Sequence, residues 1–254
     1  LEYSVDAWCM SQMASDLGKK DDAELYHKRS LNYRNVFDPE LKFVRGKMKD
    51  GSWRGDFDPL YSNHTHSDFT EGNAWQYTFL VPQDVEGLVS LFGSREEFLS
   101  RLDTLFSIKE AVKGENASAD ISGLIGQYAH GNEPSHHISY MFSMAGAPEK
   151  TRSMVKKIMN DMYTDGRDGI CGNEDCGQMS AWYVLSAMGF YPVNPADGRF
   201  ILGCPSLDRA VINLPGNKTF TVIAENNNRF NSKVDKILLN GQPLERNYIT
   251  YSEI

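Results

Sequence analysis

The amino-acid sequence predicts a mainly α fold, part of a helical toroid, followed by a small antiparallel β module. Three observations lead there. Apolar residues recur at spacings of three and four through residues 1–190, as one-sided helices require. The helices follow one another as hairpins, with polar and glycine-bearing loops between them. Near Tyr191 the helical period vanishes and short β-rich runs take over. Residues 1–190 thus read as the helical domain and residues 191–254 as the β module, which the chain leaves incomplete. A closed ring of paired helices needs more helices than this sequence supplies, so the rest of the ring is expected from chain outside it.

Tyr3, Ala7, Met10, Ala14 and Leu17 give the first helix one apolar face, and Gly18 stops it. A second helix opens at Asp21 or Asp22, turns Tyr26, Tyr33 and Phe37 inward, and ends at Asp38-Pro39. Residues 38–70 form a long irregular stretch, the kind of loop that often carries function. Helices are expected over Glu71–Leu80, Val85–Phe92 and, behind the capping pair Ser94 and Glu97, to about Leu105. Pro134 fits the first turn of a helix reaching about Ala145. Two more span about Glu149–Met162 and Gln178–Met188, the last stopped by Gly189. Strand patterns follow at 200–202, 210–214, 219–224, 234–239 and 248–251, with Asn240-Gly241 as a hairpin turn.

The bulk numbers exclude some functions. The chain has 254 residues, 41% hydrophobic and 24% charged, which is ordinary globular composition. A net charge of -8 without a basic patch argues against a nucleic-acid partner. No apolar run is long enough to span a bilayer, and no signal peptide is visible. The first residues already sit inside a helical pattern, so the chain is expected to begin mid-domain. The four cysteines, Cys9, Cys171, Cys176 and Cys204, are too scattered for a disulfide framework. Cys171 and Cys176 flank one loop and are able to close it, but free thiols are the simpler expectation.

Three loops carry chemistry. In Thr70-Glu71-Gly72-Asn73-Ala74-Trp75-Gln76-Tyr77, a carboxylate precedes two aromatics. Glu71 reads either as a helix-dipole partner, with Trp75 in the core, or as a proton donor at a helix mouth. In His130-Gly131-Asn132-Glu133-Pro134-Ser135-His136-His137, Asn132 suits a helix cap. The oxygens of Asn132 and Glu133 suit calcium, while Glu133, His136 and His137 form a rival zinc set. Neighbouring histidines point in different directions on a helix, which counts against zinc. The third loop, residues 165–178, is acidic and glycine-rich, with Asn173, Glu174 and Asp175 before a helix. One of its carboxylates reads as a general base on water. Two carboxyl groups across one sugar ring are what glycoside hydrolysis needs.

The runs Thr70–Gln76, Gly131–His137 and Gly172–Trp182, with Asp56-Phe57-Asp58-Pro59 and Gly189-Phe190-Tyr191-Pro192, resemble the motifs of glycoside hydrolase family 92. Members are calcium-dependent exo-acting α-mannosidases that invert anomeric configuration. The resemblance implies an (α/α)6 toroid and a mannose-containing glycan as substrate, as in N-glycan degradation. It also implies a preceding N-terminal β-sandwich domain, absent from this sequence. It makes Glu71 the general acid and Asp175 the general base, and places calcium at Asn132 and Glu133. Trp75, His136, His137, Asn173 and Glu174 would shape the mannose subsite. Asn173 stands where some members carry a second aspartate, so base duty falls to Asp175 or its neighbour Glu174. Members that cleave α-1,2 bonds carry a His-Glu pair where this chain has Gln127-Tyr128, which tilts the linkage away from α-1,2. Family members are exported, so the resemblance implies a periplasmic or extracellular location. Three glycosylation triplets begin at Asn63, Asn116 and Asn217. Two other readings stay open: a non-catalytic carbohydrate-binding fragment, and a zinc-dependent hydrolase.

Overall fold

The structure is a computed structural model that describes residues 1–254. It is mixed rather than mainly α: 39% helical, with small antiparallel sheets. The chain divides into two compact units, residues 1–138 and 139–254. The change from helices to strands near Tyr191 falls inside the second.

In the first unit, α1 (Glu2–Asp16) and α2 (Lys20–Ser30) form a hairpin about Gly18 at φ +71°. Its contact face is not the apolar stripe the sequence suggests. α1 buries Ser4, Ala7, Ser11 and Ala14, while Tyr3, Met10 and Leu17 are exposed. Small side chains let the helices approach, and the Ser11 hydroxyl donates to the carbonyl of Ala23 at 2.9 Å. The second helix also ends earlier than expected. A 3-10 turn over Asn32–Val36 replaces its last turn, and Phe37–Asp38 is strand β1, paired with β2 (Phe43–Val44). Tyr33 and Phe37 are still buried, so the apolar spacing is used by a different backbone.

The core of this unit is aromatic. Phe92, at the end of α4 (Val85–Phe92), lies 5.3 Å from Phe37 and 5.4 Å from Phe98 of α5 (Arg95–Ser107), centroid to centroid. Between β2 and α4 sits α3, only Ala74–Tyr77, where the sequence suggests a longer helix from Glu71. After α5 a second ribbon, β3 (Leu124–Ile125) with β4 (Tyr128–Ala129), delivers the chain to a 3-10 turn at Glu133–Ser135. The expected helix behind Pro134 is thus split into that turn and α6 (Ile138–Met144).

In the second unit, α7 (Pro148–Met162) and α8 (Gln178–Met188) match their sequence patterns. Trp182 of α8 is fully buried, stacked at 6.0 Å on Tyr163 and flanked by Tyr140 and Tyr191. Gly189 closes α8 at φ +100°, where a Cβ would also meet Pro205 at 2.6 Å. Strand β5 (Phe190–Tyr191) pairs with β6 (Arg199–Leu202), which pairs with β11 (Tyr248–Thr250). Hairpins β7–β8 (Arg209–Leu214, Lys218–Ile223) and β9–β10 (Leu238–Leu239, Gln242–Pro243) lie between. Asn240 and Gly241, at φ +50° and +80°, make the expected turn of the latter.

Candidate active site

The sequence-predicted residues fall into two clusters, one in each unit. The first is built on the turn before α3. Asn73, not Glu71, caps this helix: its Oδ1 accepts from the Trp75 amide at 3.0 Å, and the Gln76 side chain accepts from the Asn73 amide at 2.7 Å. Asn73 Nδ2 then donates to Gln127 Oε1 at 2.8 Å, and Gln76 Nε2 donates to the Gln127 carbonyl. Gln127 Nε2 donates to the carbonyl of Glu110 at 2.7 Å. All three amides are buried, so each bond matters more than it would in water. The sequence reading weighed Gln127 only for linkage. The Asn-x-x-Gln spacing of residues 73 and 76 was the available signal for the clasp.

This clasp presents Glu71, which is half-buried. Its amide donates to the Tyr77 hydroxyl at 3.4 Å. Gly72 is needed for that approach, because a Cβ there would lie 2.7 Å from the Tyr77 ring. Asn132 meets Glu71 from the other loop. Its Nδ2 lies 3.1 Å from the Glu71 carbonyl and 3.3 Å from Oε2 of the carboxylate, while its Oδ1 accepts from the Glu133 amide at 3.2 Å. The structure therefore brings Asn132, on the loop that also carries Glu133, to Glu71, which lies on a separate loop in the sequence.

Trp75 lies in the core, edge-on to Phe43 at 4.9 Å and beneath Arg101. His136 and His137 are also buried. Nε2 of His136 lies 2.9 Å from the His130 carbonyl, and Nε2 of His137 lies 2.7 Å from the Phe79 carbonyl. Burial pushes both imidazoles down to about 4, against those hydrogen bonds. The two rings thus serve different carbonyls. No three histidine, cysteine or acidic side chains converge, so the geometry gives the zinc reading no triad. Calcium takes roughly 6–8 oxygen ligands. Asn132, Glu133 and the carbonyls of their loop are oxygen donors of the type such a shell takes.

The second cluster is the turn into α8. Asn173, Glu174, Asp175 and Cys176 are exposed. Glu174 accepts from the Ser180 amide and hydroxyl, each at 2.9 Å. Asp175, Cys176 and Gly177 all have left-handed backbone, at φ +46°, +56° and +89°. Tyr163 braces the turn from behind, its hydroxyl donating to the Met179 carbonyl at 3.0 Å. Cys171 and Cys176 are free thiols, as are Cys9 and Cys204.

Each unit thus carries a polar, carboxylate-bearing turn beside a helix. The chain belongs to glycosyl hydrolase family 92, whose catalytic-domain model it matches over residues 1–254. It is similar to a solved family 92 α-mannosidase from Bacteroides thetaiotaomicron bound to mannoimidazole, with a TM-score of 0.94 and 37% identity. That likeness covers 100% of this chain and 34% of the other. An inverting mannosidase of the same family and organism is similar at TM-score 0.85 and 38% identity, over 99% of this chain and 35% of its own. Among curated relatives, an uncharacterized secreted glycosidase of Arthroderma benhamiae is 28% identical over 98% of this chain and 33% of its own length. The chain thus spans about a third of the length of the relatives it matches. No helix is long and apolar enough to cross a membrane.

Proposed function

We propose that the chain forms part of an exo-acting α-mannosidase that removes terminal α-linked mannose from glycans with inversion. The observation that supports this most is the whole-chain likeness to a solved α-mannosidase at 37% identity. Glu71 serves as general acid, protonating the glycosidic oxygen as the bond breaks. Asp175 serves as general base, taking a proton from the attacking water. An inverting pair stands roughly 6.5–9.5 Å apart to admit that water. Chain outside this sequence, including a β-sandwich before it, completes the ring and the outer pocket.

The other residues take the roles the family resemblance gives them. Trp75, His136 and His137 are buried and shape the subsite from beneath. Asn173, exposed beside Asp175, offers an amide to sugar hydroxyls. Calcium, when bound at Asn132 and Glu133, supplies an orienting charge for the mannose hydroxyls. Gln127 and Tyr128 are fully buried. They leave the substrate without the pair that α-1,2 members place there, which favours another linkage. Export to the periplasm or beyond fits a glycan substrate.

The test is release of free mannose from a panel of α-linked mannobioses, by this chain and by the natural polypeptide that contains it. Calcium-dependent release by the polypeptide is expected, with loss on chelation. No release from any linkage would overturn the reading in favour of sugar binding without turnover. Glu71→Gln should slow natural disaccharides far more than activated aryl mannosides, since only the former need the proton. Equal losses on both would remove Glu71 as acid.

A further inference from the structure

We infer that Glu174 is a positioning residue, holding Asp175 in place through Ser180, and is not itself the base. The inference rests on the proposed hydrolase reading, in which adjacent carboxylates compete for one role. The structure separates them by what each is already doing. α8 begins at Gln178, and its N-cap is Gly177, which has no side chain to satisfy the free amides of the first turn. Glu174 fills that gap from three residues upstream. Its Oε1 takes the amide of Ser180 and its Oε2 takes the hydroxyl of the same residue. Both oxygens are thereby committed, and the negative charge sits at the positive end of the helix.

The chain between Glu174 and Gln178 explains why such a tie is needed. Three successive residues adopt left-handed backbone, and two of them carry side chains that this conformation strains. Strained turns persist where surrounding bonds over-determine them. Here the Gln178 amide donates to the Asp175 carbonyl at 3.1 Å, and the Met179 amide to the Glu174 carbonyl at 3.3 Å. With the two bonds to the Glu174 carboxylate, four hydrogen bonds clasp the turn on which Asp175 stands exposed. Releasing the carboxylate removes two of these four bonds, those nearest the first turn of α8, and Asp175 loses its fixed position. A general base misplaced by even 1 Å acts far more slowly.

The experiment uses Glu174→Ala, Glu174→Gln, Ser180→Ala, the Glu174→Ala/Ser180→Ala double variant and Asp175→Ala in the natural polypeptide, assayed on α-mannosides. Glu174→Ala is expected to lower kcat about tenfold or more with KM within about twofold. Glu174→Gln, which keeps an acceptor, and Ser180→Ala should show smaller losses of the same kind. The double variant should be no slower than Glu174→Ala, since both act through one contact. Azide should rescue Asp175→Ala by taking the place of the activated water, giving mannosyl azide of inverted configuration, and should not rescue Glu174→Ala. Azide rescue of Glu174→Ala or a wild-type kcat in Ser180→Ala would overturn the proposal. Amide exchange at Ser180 reads the clasp without turnover: Glu174→Ala should speed it, and unchanged exchange would also overturn the proposal. If the unmodified polypeptide cleaves no α-mannoside, the hydrolase reading fails, while the exchange result still decides whether the clasp exists.

Discussion

Glu71 stands on a turn clasped by three buried amides, whereas Asp175 stands on an exposed turn clasped by one carboxylate and one serine. The contrast follows what each group is proposed to do. A proton donor must be held against one oxygen of the substrate, and buried amides give that precision because breaking any of them strands a polar group. Within this chain the turn of the proposed base is held by the Glu174–Ser180 bonds and the Tyr163 brace rather than by a buried amide clasp. The first turn is therefore expected to be costly to disturb in stability, the second in activity.

The largest effect that sharpens this contrast belongs to Asp175. Asp175→Asn, a residue that also tolerates left-handed backbone, should lower kcat by about 10²- to 10⁴-fold. Its unfolding midpoint in urea should stay where it was. A shifted midpoint with turnover retained would reverse the assignment of stability and activity to the two turns.

Acid should act on the first cluster through its histidines. His136 and His137 ionise near 4 in the folded chain, against about 6.5 when unfolded. The unfolded chain therefore binds more protons between those values. Stability should be flat above about pH 6.5 and fall as pH drops toward 4, by about 2 kcal/mol per histidine at pH 5. Urea titrations at pH 7.5 and pH 5 measure this; a flat result would mean the imidazoles are not held neutral.

Next is the amide clasp. Gln127→Ala removes two side-chain hydrogen bonds and strands the buried Asn73 Nδ2, for a loss of about 2–3 kcal/mol by equilibrium denaturation. A loss below about 0.5 kcal/mol would show that α3 caps itself without help from the other loop. Asn132 serves two proposed groups at once. Asn132→Ala frees the Glu71 carboxylate from its contact at 3.3 Å and removes a proposed calcium donor, so kcat should fall about tenfold or more and the calcium concentration that half-restores turnover should rise. A change in KM alone would place Asn132 in substrate binding instead.

How much of this was legible in the sequence differs between the two regions. The helices with strong punctuation were readable: Ser94 caps α5, and Gly189 ends α8. The Glu71 region was misread as the start of a long helix, because tertiary amide bonds from Gln127 fix a four-residue α3 that no local period encodes. The face of α1 was misread for a related reason. Close packing on α2 selects small side chains, so Ser4 and Ser11 are buried where Met10 and Leu17 are not. The pairing of Asn132 with Glu71 spans 61 residues and leaves no trace in spacing. The tie from Glu174 to Ser180 is local, but it replaces a cap residue that Gly177 lacks, and an absent side chain gives the eye nothing to read.

The central claim is a single displacement shared between Glu71 and Asp175. Its most direct test is proton NMR of the first mannose released from an α-mannoside by the natural polypeptide, recorded before the anomers equilibrate. The account predicts β-mannose as the first product. α-Mannose appearing first would mean retention through a covalent intermediate, and would contradict the roles given to both carboxylates.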